Sequence, residues 1–113
     1  MPILRCCHEL YKSFYEYSKS FPKKDKHNIG NRCENIILDI IELILLAIND
    51  KTERKLLILE KISGKLNALR MFIRITRELK IISLTKYIIL QSKIDEIGIK
   101  LGSWIKNAQK QNH

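Results

Sequence analysis

The residues of this chain that could do chemistry fall into three small groups, and their spacing limits what that chemistry is. Cys6, Cys7 and His8 stand together near the N-terminus, a combination that could ligate a metal or supply a nucleophile. Adjacent cysteines point in different directions on a helix, and no second ligand pair at zinc spacing follows, so no metal site is expected. His27 and His113 are unaccompanied, and no histidine follows an arginine at the spacing used by small helical-bundle ribonucleases. Asp95 and Glu96 are neighbours rather than a facing acid–base pair, and neither a P-loop nor a glycine-rich phosphate cradle occurs. The chain is expected to be non-enzymatic, with no catalytic residue and no cofactor.

The third group is of another kind. Within LNALRMFIRITRELK, residues 66–80, Arg70, Arg74 and Arg77 recur at i, i+4 and i+7. At 100° per residue they share one strip, about a quarter-turn from the apolar residues of the same helix. Glu78 is the only acid in local reach, and it follows Arg74 in the less favourable order for an i, i+4 pair. Two readings stand. The strip is a docking surface for phosphate or an acidic partner, since the planar guanidinium suits bidentate recognition. Alternatively it is a structural flank, neutralised across the fold by Asp39 or Glu42. Lys80 and Lys86 continue the positive charge beyond it.

Helices must position these residues. Apolar residues recur at helical spacing through four stretches, about 3–20, 24–49, 51–80 and 83–109, separated by Phe21-Pro22, Asn49-Asp50 and a break before Ser83. Asp50-Lys51-Thr52-Glu53 has the form of a capping box and Ser83 that of an N-cap. The third stretch offers a core face of Ile58, Ile62, Leu66, Leu69, Ile73 and Thr76, widened by Phe72 and Leu79. The fourth offers Tyr87, Leu90, Ile94, Ile97, Leu101, Trp104 and Ala108. Short connections between amphipathic helices predict an all-α, antiparallel up-down-up-down four-helix bundle, a single domain over residues 1–113. The second helix is apolar most of the way round, more than one bundle can bury, so Ile37, Ile41 and Leu45 are expected at a subunit interface. Gly98 and Gly102, at i, i+4 in the fourth helix, are expected to permit close approach of another helix there.

Composition agrees with this picture. Only 4 Gly and 2 Pro interrupt 113 residues, and 7% are aromatic. The formal charge of +9 is uneven: residues 1–50 hold seven Lys/Arg against seven Asp/Glu, and residues 51–113 hold fourteen against five. Such a half suits a polyanion. Twenty Ile and fifteen Lys against six Arg suggest an AT-rich coding background, which accounts for lysines better than for the arginine strip. Three cysteines without C-x-x-C, and no apolar run of signal-peptide or membrane-spanning length, point to a cytoplasmic protein without membrane association.

Taken together, Leu69-Arg70 with Ile73-Arg74, Glu78-Leu79-Lys80 with Ile82-Ser83, Tyr87, and Glu96-Ile97-Gly98 with Leu101-Gly102 and Trp104-Ile105-Lys106 resemble a known family. These are the accessory variability determinants (Avd) of diversity-generating retroelements, relatives of proteins encoded in intervening sequences of 23S ribosomal RNA genes. Ser103 stands where a second glycine is expected before the tryptophan. The resemblance implies a ring-shaped homo-oligomer, a pentamer, that binds a reverse transcriptase and its template RNA or DNA without sequence preference and supports mutagenic cDNA synthesis. Carried over by position, Arg70, Arg74, Arg77, Lys80 and Lys86 form the binding surface. The ribosomal branch implies instead a structural or interaction module with internally paired arginines.

Overall fold

Pro2 begins the first helix, where its missing N–H leaves no intrahelical bond unmade. The computed structural model describes residues 1–111. In it, α1 (Pro2–Ser18) buries Ile3, Cys6, Cys7, Leu10 and Phe14 along one side. The chain turns at Phe21-Pro22, and Phe21 folds back so that its ring meets Phe14 edge-on, with centroids 5.9 Å apart.

The second helix, α2, occupies residues 23–49 in three pieces: an α-turn Lys23–Asp25, a π-helical turn Lys26–Gly30, and the regular helix Asn31–Asn49. A π-turn shifts the backbone register and leaves carbonyls without their usual partners. Two asparagines supply donors there, Asn28 Nδ2 to the Lys24 carbonyl at 3.0 Å and Asn31 Nδ2 to the His27 carbonyl at 3.3 Å. Gly30 packs closely here: a Cβ would lie 3.2 Å from the Asp25 carbonyl, a tight approach, and 3.4 Å from the Phe21 ring.

Helix α3 (Arg54–Glu78) begins later than its sequence suggests. Asp50 accepts the Thr52 backbone N–H at 2.7 Å, and the Thr52 hydroxyl accepts the Arg54 N–H at 3.2 Å. These bonds close a turn instead of the expected capping box, whose side chain would reach three residues on. The Thr52 hydroxyl, which donates to Asp50 Oδ1 at 2.5 Å, and then the Thr52 backbone N–H hold the Asp50 carboxyl below its ordinary range. Leu59, not Ile58, is the buried residue of the first turns, and Ile58 lies about 100° round the helix, half-buried.

The helix ends in a Schellman motif. Ile81 N–H reaches the Thr76 carbonyl at 2.8 Å and Lys80 N–H the Arg77 carbonyl at 3.0 Å, with Lys80 left-handed at φ 61°. Leu79 is therefore outside the helix and exposed rather than part of the core face. Ser83 then caps α4 (Leu84–Gln111), its Oγ accepting the Lys86 N–H at 3.2 Å.

Each helix packs on its neighbours in sequence, and α4 closes back on α1, giving a four-helix bundle with no strand among the described residues. Its extents are 49 × 22 × 20 Å. The long axis is set by helix length, since 28 residues at about 1.5 Å each run to about 42 Å. Leu10, Ile40, Ile44, Ile62, Leu69, Leu90, Ile94 and Ile97 fill the centre and are almost wholly inaccessible. No helix is long and apolar enough to cross a membrane among the described residues.

Candidate functional site

The arginine strip lies on the flank of α3 that borders α4, and the structure separates its members. Arg70 Nη1 donates to Asp95 Oδ1 on α4. The same guanidinium rests over Gly98, where a Cβ would lie 2.7 Å from Nη2. Gln91 Nε2 donates to the Arg70 backbone carbonyl at 3.3 Å, tying the two helices one turn further along. Gly98 thus leaves room for the Arg70 side chain from the neighbouring helix α3. At Gly102 an added Cβ would meet nothing within 4 Å.

Arg74 is exposed and makes no ion pair among the described residues. With Arg70 it lines a groove between α3 and α4 whose other wall includes Tyr87, Ile88, Asp95 and Ile99. Arg77 is half-buried in the last turn of α3, where a cation is favoured by the carbonyl ends of the helix. Lys80 is exposed just beyond it. Lys86 turns to the opposite flank of α4, its Nζ 5.3 Å from the centre of the Tyr17 ring on α1. The five residues therefore form a grooved pair, a helix end and a separate flank.

The acids named as internal partners do other things. Asp39 pairs with Lys65 at 3.2 Å, on the opposite side of α3 from the strip. Glu42 is exposed and makes no ion pair among the described residues. Asp95 was the missed partner. It lies twenty-five residues beyond Arg70, so only the packing of α4 on α3 joins them.

The apolar surface of α2 also needs correction. Ile37 is 1% exposed and belongs to the core. Ile41 is half-buried and Leu45 is 48% exposed. The outward strip is Leu38, Ile41 and Leu45, at i, i+3 and i+7. Leu46 on α2 and Leu57 on α3 are 57% and 66% exposed and line one depression near the second connection.

The cysteines are buried. Burial pushes the Cys7 and Cys33 thiols up to about 12, and burial followed by the Glu96 carboxylate raises that of Cys6. Among the described residues, no three of His, Cys, Asp and Glu are grouped to hold a metal ion.

A family model described as bAvd-like matches residues 2–108, nearly the whole chain. The chain belongs to the bAvd-like family. The match spans all four helices of this bAvd-like protein, so the strip, the α3–α4 groove and the outward face of α2 all lie inside the family region. A search of curated proteins returns no match.

Proposed function

We propose that this bAvd-like chain is a non-enzymatic accessory protein of a diversity-generating retroelement. It binds the reverse transcriptase and the template RNA or DNA through a basic surface and supports mutagenic cDNA synthesis in the cytoplasm. Arg70 and Arg74 are the centre of that surface, with Arg77, Lys80 and Lys86 adding charge around it. The observation that carries the reading is Arg74, exposed without an ion pair among the described residues beside Arg70 in a groove within the family region. Leu38, Ile41 and Leu45 provide the subunit contact of a homo-oligomer, a pentamer by family likeness, with Gly102 open to a neighbouring helix.

A second reading, a structural module of the ribosomal intervening-sequence type, draws support from Arg70, which is neutralised inside the chain by Asp95. The two differ in salt dependence. A phosphate-binding surface loses RNA affinity steeply between low and physiological salt, whereas a solvated flank scarcely binds at either. Replacing both Arg70 and Arg74 with Ala is expected to weaken RNA binding and reduce the salt slope while the fold stays intact. Unchanged affinity in that variant would remove the strip from the binding surface.

A further inference from the structure

The first half of the chain has no net charge, yet the bundle places part of it where charge accumulates. Helix α1 ends, and α2 begins, at the end of the bundle where α3 ends and α4 begins. Lys86 Nζ over the Tyr17 ring joins the last turn of α1 to the first turn of α4. Residues 16–32 and 70–86, which make this end, hold ten Lys/Arg against three Asp/Glu, a net +7 of the whole +9. The connection at the opposite end, residues 42–61, holds four of each. The chain's termini add a smaller excess there, from Arg5, Lys100, Lys106 and Lys110 against Glu9.

The cations contributed by the neutral half are held in place by folded backbone. Phe21 anchors the turn through its edge-on contact with Phe14, and Gly30 lets the π-turn close against the same ring. Lys23, Lys24 and Lys26 sit on the helical turns so formed. All three are exposed and make no ion pair among the described residues, and the same holds for Arg32, six residues beyond Lys26. Lys19 differs, since Glu16 takes its ammonium at 3.1 Å. On the α1–α2 side of this end, a cluster of unpaired, exposed cations with no large exposed apolar side chain between residues 16 and 32 suits the phosphates of a nucleic-acid strand better than a protein partner. On the α3–α4 side, by contrast, Met71, Leu79 and Leu84 are exposed.

We infer that the nucleic-acid footprint is the end of the bundle, with Lys23, Lys24 and Lys26 of α2 acting together with the α3 strip. The inference rests on the proposed function and extends it to residues of the neutral half. A strand crossing this end contacts both connections, leaving the outward face of α2 and the far connection for protein contacts.

The experiment uses the full chain and a fluorescent poly-uridine oligonucleotide, titrated at low and near-physiological salt. Four proteins are compared: wild type, the double variant Arg70→Ala, Arg74→Ala, the triple variant Lys23→Gln, Lys24→Gln, Lys26→Gln, and the charge-matched triple variant Lys51→Gln, Lys55→Gln, Lys61→Gln at the other end. All six lysines are exposed or half-exposed, and thermal unfolding verifies that each variant folds. The first triple is expected to lose about tenfold in affinity near physiological salt and to lower the salt slope by about two. The second is expected to change both far less. Equal losses in the two triples would reduce the effect to net charge and overturn the footprint. Binding lost with Arg70→Ala and Arg74→Ala but kept in the first triple would overturn the footprint and leave the strip standing. A wild-type protein that does not bind the oligonucleotide would overturn both.

Discussion

At the scale of single residues, Arg70 is the position where sequence and structure differ most usefully. It shares a strip with Arg74, but Asp95 and the absent side chain of Gly98 hold its guanidinium against α4. The Asp95 side chain is 63% exposed, and a pair that open to water is worth about 0.2–1 kcal/mol, little enough for a phosphate to displace it. Asp95→Asn is therefore expected to raise RNA affinity by about two- to fivefold, more than Glu60→Gln, which alters net charge equally on another side of α3. In a chain carrying Arg70→Ala the gain from Asp95→Asn should shrink to that of Glu60→Gln. A gain that persists in full would show that Asp95 acts as a general repulsive charge. Lys80 supports a second expectation. A lysine at positive φ in a Schellman turn costs more than glycine there, so Lys80→Gly should raise the unfolding free energy by about 1 kcal/mol. Chemical denaturation read by circular dichroism tests it, and a loss of stability would mean the lysine side chain stabilises the turn.

At the scale of elements, the helices were legible because an alternating three- and four-residue spacing of apolar side chains is a direct consequence of 3.6 residues per turn. Ser83 was legible as a cap for the same local reason, its hydroxyl serving an N–H three residues on. Two element boundaries were not. The start of α2 is a π-turn packed beside the Phe21 ring, and the start of α3 is delayed by a turn built on Asp50 and Thr52. Both are settled by hydrogen bonds and contacts that leave no periodic signal. The outward strip of α2 gives an element-scale prediction. For the proposed homo-oligomer, Leu45→Lys is expected to favour monomer in analytical ultracentrifugation with little change in helicity, because Leu45 is half in solvent within the single chain. Gly102→Ala is the companion. In an isolated bundle the extra methyl meets nothing and should stabilise α4 by about 0.8–1 kcal/mol, whereas loss of assembly would place Gly102 at a close helix contact.

At the scale of the whole molecule, the buried thiols couple the fold to alkaline pH. Cys7 and Cys33 ionise near 9.0 when exposed and at about 12 in the folded chain, so the unfolded state releases protons first as pH rises. Below 9.0 both states are protonated and the thiols leave stability unaffected. Between these values each thiol should lower the unfolding free energy by about 1.4 kcal/mol per pH unit. Denaturation midpoints measured above pH 9 in wild type and in a Cys7→Ala, Cys33→Ala variant test this, and parallel pH profiles would contradict it.

The sequence by itself determined the class of fold, the family likeness, and the presence of an arginine strip beside an apolar face. Each is a local or additive property, carried by spacing along one helix or by counting charges. Which acid meets Arg70, why Gly98 is glycine, and that Ile37 is core while Leu45 is surface were decided only by the tertiary structure. So was the placing of the first and third connections at the same end of the bundle, where Lys86 of α4 lies over the Tyr17 ring of α1. Those are relations between segments far apart in the chain, fixed by the rotation and packing of one helix against the next, which a periodic pattern constrains only to within part of a turn.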